Sequence, residues 1–250
     1  MTLIFNESEK RAVYLYADDS YKITIKENVK IDFICTHKTS LELNMEIEKN
    51  ANISIYFTSI GDRNSKLDCK KNINVGVGAE LFIFENLAAH DNVINNIVQD
   101  SHSKVELFHL CELKDIDEVK SIGEFTINGE NCIFNQMSRF LLHDKSNGLF
   151  ESIVIAKEGA KDAVIEQVHN TLLIGEHSKM RVHSSPQMKI YHDALKAKHS
   201  STVGTLDEEV IFFMQSRAIS KDDAEVMLQE AFKLELLEKI KVDEFKEIIS

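Results

Sequence analysis

A chain of 250 residues that is 43% hydrophobic and 28% charged has globular composition and is too apolar for an intrinsically disordered protein. Its 29 Lys and Arg stand against 41 Asp and Glu, a formal charge of -12 whose field repels phosphate backbones and anionic lipid heads, so neither nucleic acid nor a membrane is an expected partner. The four cysteines, Cys35, Cys69, Cys111 and Cys132, include no C-x-x-C pair and are too sparse for a disulfide scaffold or a finger-type zinc site.

Met1 to Lys10 (MTLIFNESEK) has no basic start, no long apolar stretch and no small-residue cleavage site, which predicts a cytoplasmic chain. No apolar run reaches the roughly 18 residues that a membrane helix needs. From Tyr21 to Ile190 short runs rich in Ile, Val, Phe and Leu alternate with Asn, Gly, Ser and Asp, the pattern of strands and turns. Tyr21–Ile25, Leu41–Ile47, Ile53–Phe57, Glu80–Phe84, Val105–Leu110, Gly148–Ala156 and Asp162–Val168 are such strands. A small or polar pair followed by an apolar strand opening recurs near Glu27, Asn50, Gly78, His102, Gly129, Ser146, Gly159, His177 and His199, roughly 13 to 28 residues apart. That loose period predicts a β-solenoid over residues 1–204, specifically a right-handed parallel β-helix, because the strict six-residue repeat of the left-handed kind is absent. An antiparallel sandwich or jelly roll is the competing reading, since it too spaces short strands regularly.

The pattern changes after Gly204, and residues 205–250 read as a small α-helical segment. Thr205 with Glu208 fits a capping box ahead of a helix over Glu209–Ile219. Ser220 with Asp223 repeats the N-cap logic before a long amphipathic helix over Ala224–Ile240, and Val242–Ile249 forms a short third one. From Asp207 onward the segment holds 12 acidic and 6 basic residues. Its long helix serves either as packing for the β body or as a docking surface for a partner's groove.

Catalytic signatures are missing. Neither G-x-x-x-x-G-K-[ST] nor G-x-G-x-x-G occurs, so the chain is not expected to bind ATP, and G-x-S-x-G and H-E-x-x-H are absent as well. A carbohydrate-active β-helix needs clustered carboxylates, but the adjacent pairs Asp18-Asp19 and Asp222-Asp223 read as a turn and a helix N-terminus. His177, His183, His192 and His199 fall within 23 positions and could bind a metal across neighbouring coils, although polar turns hold most of them. Cys111 and Cys132 sit in apolar surroundings and read as core.

One segment carries a specific signal: Leu172-Leu173, then Pro186 with Met188 and Ile190, then His199 with Ser201-Thr202-Val203-Gly204. It continues with Leu206-Asp207-Glu208-Glu209, Ser216-Arg217, Ile219 and Ala231-Phe232. In this order the residues resemble the SufB/SufD family of iron-sulfur cluster assembly proteins, SufD more than SufB, over about residues 120–250. The resemblance implies a right-handed parallel β-helix followed by helices, and a cytoplasmic scaffold component of the SUF system instead of an enzyme. It implies pairing through the β-helix with a SufB-like protein or with a second copy of itself. It also implies docking of a SufC-like ATPase on the C-terminal helices, where Arg217, Glu225, Leu228 and Phe232 are the expected contacts. His199 matches the histidine of the family's C-S-H-G stretch, implicated in iron handling at the partner interface. Ala197 stands where the family has cysteine, so stable cofactor binding by this chain alone is not expected, and iron or a transient iron-sulfur cluster would belong to the complex. The two other readings are the carbohydrate-active enzyme and a purely structural dimerisation module.

Overall fold

The computed structural model describes residues 1–9, 13–17, 20–60, 66–175 and 179–249. In chain order its strands begin with β1 (Thr2–Phe5), β2 (Val13–Ala17), β3 (Ser20–Ile25), β4 (Lys30–His37), β5 (Leu41–Ile47) and β6 (Asn52–Ser59). They continue with β7 (Leu67–Val75), β8 (Glu80–Leu87), β9 (Asp91–Gln99), β10 (Lys104–Leu113) and β11 (Glu118–Ile127). The last five are β12 (Ile133–His143), β13 (Asn147–Ala156), β14 (Val164–Ile174), β15 (Arg181–Ile190) and β16 (Lys196–Thr205). Consecutive strands never pair. Odd-numbered strands form one 8-stranded sheet, β1-β3-β5-β7-β9-β11-β13-β15, and even-numbered strands form another, β16-β14-β12-β10-β8-β6-β4-β2. The pairs are parallel, as between β10 and β12 or β11 and β13. The chain therefore winds as a parallel β-helix, and the antiparallel sandwich is ruled out.

The winding is set at the turns. Asn28, Asn50, Gly78, His102, Asn131 and Asp162 all adopt positive φ, a conformation reached most easily by Gly, Asn, Asp and His. Each donates its amide to the next coil, as Asn50 does to the Val77 carbonyl (3.0 Å) and His102 to Glu130 (2.8 Å). The residue that follows is small or apolar and buried: Val29, Ala51, Ala79, Ser103, Cys132 and Ala163 are 3% exposed or less. On the other side His90, Asp115 and Asp144 have positive φ. There the Asp91 and Asp117 carboxylates accept from the Ala88 and Lys114 amides, at 3.1 and 2.9 Å. The sequence period mixed these two rows of turns. Within one row the repeat is longer, from 22 residues between Lys26 and Glu48 to 32 between Asn170 and Thr202. His199, read as a turn, lies inside β16, because a polar run on an end strand carries the same composition as a turn. His177, and with it that turn, lies outside the described residues.

Inward-facing Ile, Leu, Val and Phe of both sheets fill the main core, which runs from Ile23 to Ile165. A second cluster covers the outer face of the even-numbered sheet. There Ile34, Tyr56, Phe82, Phe84, Phe108 and Leu141 meet Leu236 of helix α2 (Lys221–Leu237), Phe245 of helix α3 (Asp243–Ile249) and, in the connection between them, Ile240, which the sequence pattern places in the long helix. Helix α1 (Glu208–Gln215) precedes them. Its N-cap is Asp207, whose carboxylate accepts from the Glu209 and Val210 amides at 2.9 and 3.3 Å. The expected cap, Thr205, is instead the last residue of β16, because ladder pairing to Leu173 holds its backbone extended. Ser220 caps α2 as expected, accepting from the Asp223 amide at 3.1 Å.

Candidate functional site

The two sheets end at β15 and β16, whose outer edges have no strand beside them among the described residues. Every residue of β16 is exposed. Ile190, Tyr191 and Val203 are 46%, 60% and 49% exposed here, a concentration of apolar surface at an unpaired edge that a solenoid end normally avoids. His199 stands on this edge. Its register partner is Gln167, which in turn pairs with Gln136, and both glutamines are buried, so His199 is the solvent-facing end of an inward polar row. Ala197 lies over buried Ile165 and offers no ligand atom in its side chain.

Behind this end the interior carries a row of hydrogen-bonded polar side chains. His169 bonds Ser152 through Nε2 (3.3 Å) and Ser184 through Nδ1 (3.2 Å), and Ser201 donates to the Ser184 hydroxyl (3.1 Å). Gln167 donates to Ser152 and to Gln136 at 3.0 and 3.1 Å. Burial, with His109 nearby, pushes the His169 imidazole down to about 3, so it is neutral at physiological pH. Deeper, Glu85 meets Lys71 (2.8 Å), His109 (2.9 Å) and the Asn95 amide (2.9 Å), with Lys71 and Glu85 each 1% exposed. Burial opposes the Glu85 charge, yet Lys71 and His109 hold the carboxyl well below its ordinary range. His109 reaches on to the Ser138 hydroxyl at 3.1 Å.

The helices offer two different faces. Helix α2 is fixed to the body: Arg139 pairs with Glu235 and lies over the Phe232 ring at 5.2 Å, and Lys233 bonds Glu112 at 3.2 Å. Phe232 is therefore half-buried against the second cluster instead of free for a partner. Leu228 is half-buried, Glu225 pairs with Lys221 at 3.6 Å, and Arg217 is exposed with its guanidinium 3.6 Å from the Phe213 ring centre. The surface that sequence reading missed is α1. Phe212 and Phe213 are 73% and 56% exposed and, with Glu208, Glu209 and Ser216, line a shallow groove of about 500 Å³. Val226 and Met227 on α2 add 57% and 52% exposed apolar side chains. The signal was the Phe212-Phe213 pair itself, two large aromatic side chains in the short helix that follows the β body.

Other candidates are dispersed. His183 pairs with Glu151 (3.2 Å) on β15, and the His192 ring accepts from the Ala194 amide (3.0 Å). Among the described residues no three His, Cys, Asp or Glu are placed to hold a metal ion. All four cysteines are free and buried, and burial raises their thiols, Cys35 to about 12, so thiolate is disfavoured. A larger groove of about 650 Å³ crosses the outer face of the odd-numbered sheet beside Lys120, Asn147 and Arg181. Its carboxylates are engaged, Glu118 with the Asn147 amide (3.1 Å) and Asp91 as a turn cap. Asp18-Asp19 lies outside the described residues, and Asp222-Asp223 is the first turn of α2. No described helix is long and apolar enough to cross a membrane.

The chain is a parallel β-helix with helices packed on one outer face, and among the described residues its histidines and cysteines do not cluster. The family model described as SUF system FeS cluster assembly, SufBD core domain, matches residues 8–232. The chain therefore belongs to the SufB/SufD core family. It is 32% identical over 116 residues to the iron-sulfur cluster assembly protein SufD of Escherichia coli (strain K12), covering 46% of this chain and 27% of that protein. It is 24% identical over 168 residues to the iron-sulfur cluster assembly SufBD family protein slr0076 of Synechocystis, covering 67% and 35%. With SufD of Bacillus subtilis (strain 168) it shares 26% identity over 106 residues, 42% of this chain and 24% of that one. The chain thus spans about a third or less of the length of these curated relatives.

Proposed function

We propose that this chain is a SufD-like scaffold component of a SUF-type iron-sulfur assembly complex, without catalytic activity of its own. The observation that carries the reading is the family match, which runs from residue 8 through both sheets to residue 232 in α2. The free edges of β15 and β16 supply a pairing surface for a SufB-like protein or a second copy of this chain, in the cytoplasm. The ATP chemistry that the sequence lacks is supplied by a SufC-like ATPase docked on the helices, with Phe212, Phe213 and Arg217 outermost and Glu225 and Leu228 at the rim. The iron-sulfur cluster is cargo. His199, on the exposed edge and without a cysteine beside it, contributes an imidazole to a site completed by the partner.

Removing the helices would strip the cover from Tyr56, Phe82 and Phe84, so point variants of the full chain make the better test. The wild type, Phe212→Ser with Phe213→Ser, and His199→Ala are each co-purified with the host's SufB-like and SufC-like proteins, and cluster maturation is followed in cells. The Phe variant is expected to lose the ATPase and keep the SufB-like protein, and His199→Ala to keep both and lose maturation. A wild-type chain recovered alone, with neither partner, would reduce the reading to a shared fold. Normal maturation with His199→Ala would favour the purely structural dimerisation module.

A further inference from the structure

We propose that His169 is a positioning residue, a cross-brace that holds the last coil so that His199 and the edges of β15 and β16 meet the pairing partner; this rests on the pairing role proposed above. In the deeper coils apolar contact fills most of the space between the two sheets, with the buried cluster of Lys71, Glu85 and Asn95 as a polar exception. Phe125 meets Phe134 at 4.8 Å, and Phe140 stacks on Phe150 at 3.4 Å. At the end this contact runs out, since all of β16 is exposed and in β15 only the half-buried Val182 and Met188 pack against the core. Burial of apolar area therefore holds the final strands only weakly.

Hydrogen bonds take its place. The His169 ring, 2% exposed, spans from the even-numbered sheet to Ser152 on β13 and Ser184 on β15. Ser201 on β16, the register partner of His169, closes the link by donating to Ser184. Neutral imidazole is suited to this, because it presents one donor and one acceptor in a fixed plane and serine hydroxyls complement either tautomer. Facing His169 are the hydroxyls of these serines and, edge-on at 5.9 Å, the Phe140 ring, while His109 is a titratable group that acts on it. Gln167 ties β14 to Ser152 one position away, directly beneath His199. The chain so replaces core packing with an oriented polar brace at the coil that carries the candidate site. A leucine would fill the space but leave Ser152 and Ser184 without this partner.

The test compares wild type, His169→Leu, His169→Gln and Ser184→Ala as full chains, reading backbone hydrogen exchange in β15 and β16 against β9 and β11. Affinity for the SufB-like protein is measured in parallel, with capture of the SufC-like ATPase as the control. His169→Leu and Ser184→Ala are expected to speed exchange in the last two strands by about tenfold, leave β9 and β11 unchanged, and weaken pairing by about tenfold with ATPase capture intact. His169→Gln, which keeps a donor and an acceptor, is expected to restore most of both. Ser184 is half-buried, so its variant carries the test should His169→Leu not fold. Unchanged exchange in β15 and β16 would overturn the brace. Faster exchange with unchanged pairing would overturn its positioning role. Failure of the wild type to pair would overturn the pairing reading itself, a result visible before any variant is compared.

Discussion

At the residue scale, the most exacting feature is an ion pair in a place that should be apolar. Lys71 and Glu85 are 1% exposed and bonded at 2.8 Å, and removing one partner strands the other's charge in the core. Glu85→Gln is expected to cost about 3–5 kcal/mol, read as a lower urea midpoint. A loss below about 1 kcal/mol would mean that solvent reaches the pair. His169 sets a pH dependence of opposite chemistry and the same sign. Its folded value of about 3 lies below the ordinary 6.5, so below 6.5 the unfolded chain takes up a proton that the folded chain refuses. Its effect is absent above that pH and grows by about 1.4 kcal/mol for each unit toward pH 3. Glu85, held below its ordinary range, also loses stabilisation as acid protonates it, so the comparison of wild type with His169→Gln isolates the histidine. Equal acid midpoints for the two chains would contradict the assignment.

At the element scale, the helices separate into anchored and presented surfaces. Phe245 is fully buried between Tyr56 (5.2 Å) and Phe84 (5.9 Å), so Phe245→Ala is expected to cost about 3–5 kcal/mol in thermal or urea unfolding. Asp207→Ala removes two capping bonds at the start of α1 and is expected to cost about 1 kcal/mol of local helix stability, read as faster amide exchange in α1. Phe212→Ser, at a side chain 73% exposed, is expected to leave the unfolding midpoint unchanged within about 0.5 kcal/mol. The contrast between Phe245 and Phe212 separates packing from presentation on one helical segment. Amphipathic periodicity could not do so, because it marks apolar faces without saying which one meets the body.

At the scale of the whole molecule, each coil touches only its neighbours, so stability is expected to be highest in the middle and to fall toward both ends. Amide exchange should be slowest in β9 to β12 and fastest in β1 and β16; uniform protection would mean that the solenoid opens as a single unit. The sequence by itself determined a strand-rich body with a helical tail, because short alternating runs of Ile, Val and Phe broken by Asn, Asp, His and Gly favour strands and turns, whereas parallel stacking in place of a sandwich was decided by strand pairing. Leu41–Ile47 was legible to the residue as β5, and Ser220 was legible as a cap. The ordered residues from Leu172 to Phe232 carried the family, since that combination does not arise from strand patterning alone. The circuit length was not legible, because two rows of turns share one local chemistry and only strand pairing tells them apart. His199 looked like a turn because the polar run of the exposed end strand β16 has the composition of a turn. Only the tertiary structure could decide that Phe232 turns inward, that Phe212 and Phe213 remain outside, and that His169, Ser184 and Ser201 meet. Those facts depend on which sheet, which face and which coil each residue occupies, and separations of 15 and 17 positions along the chain become hydrogen bonds only once the solenoid has closed.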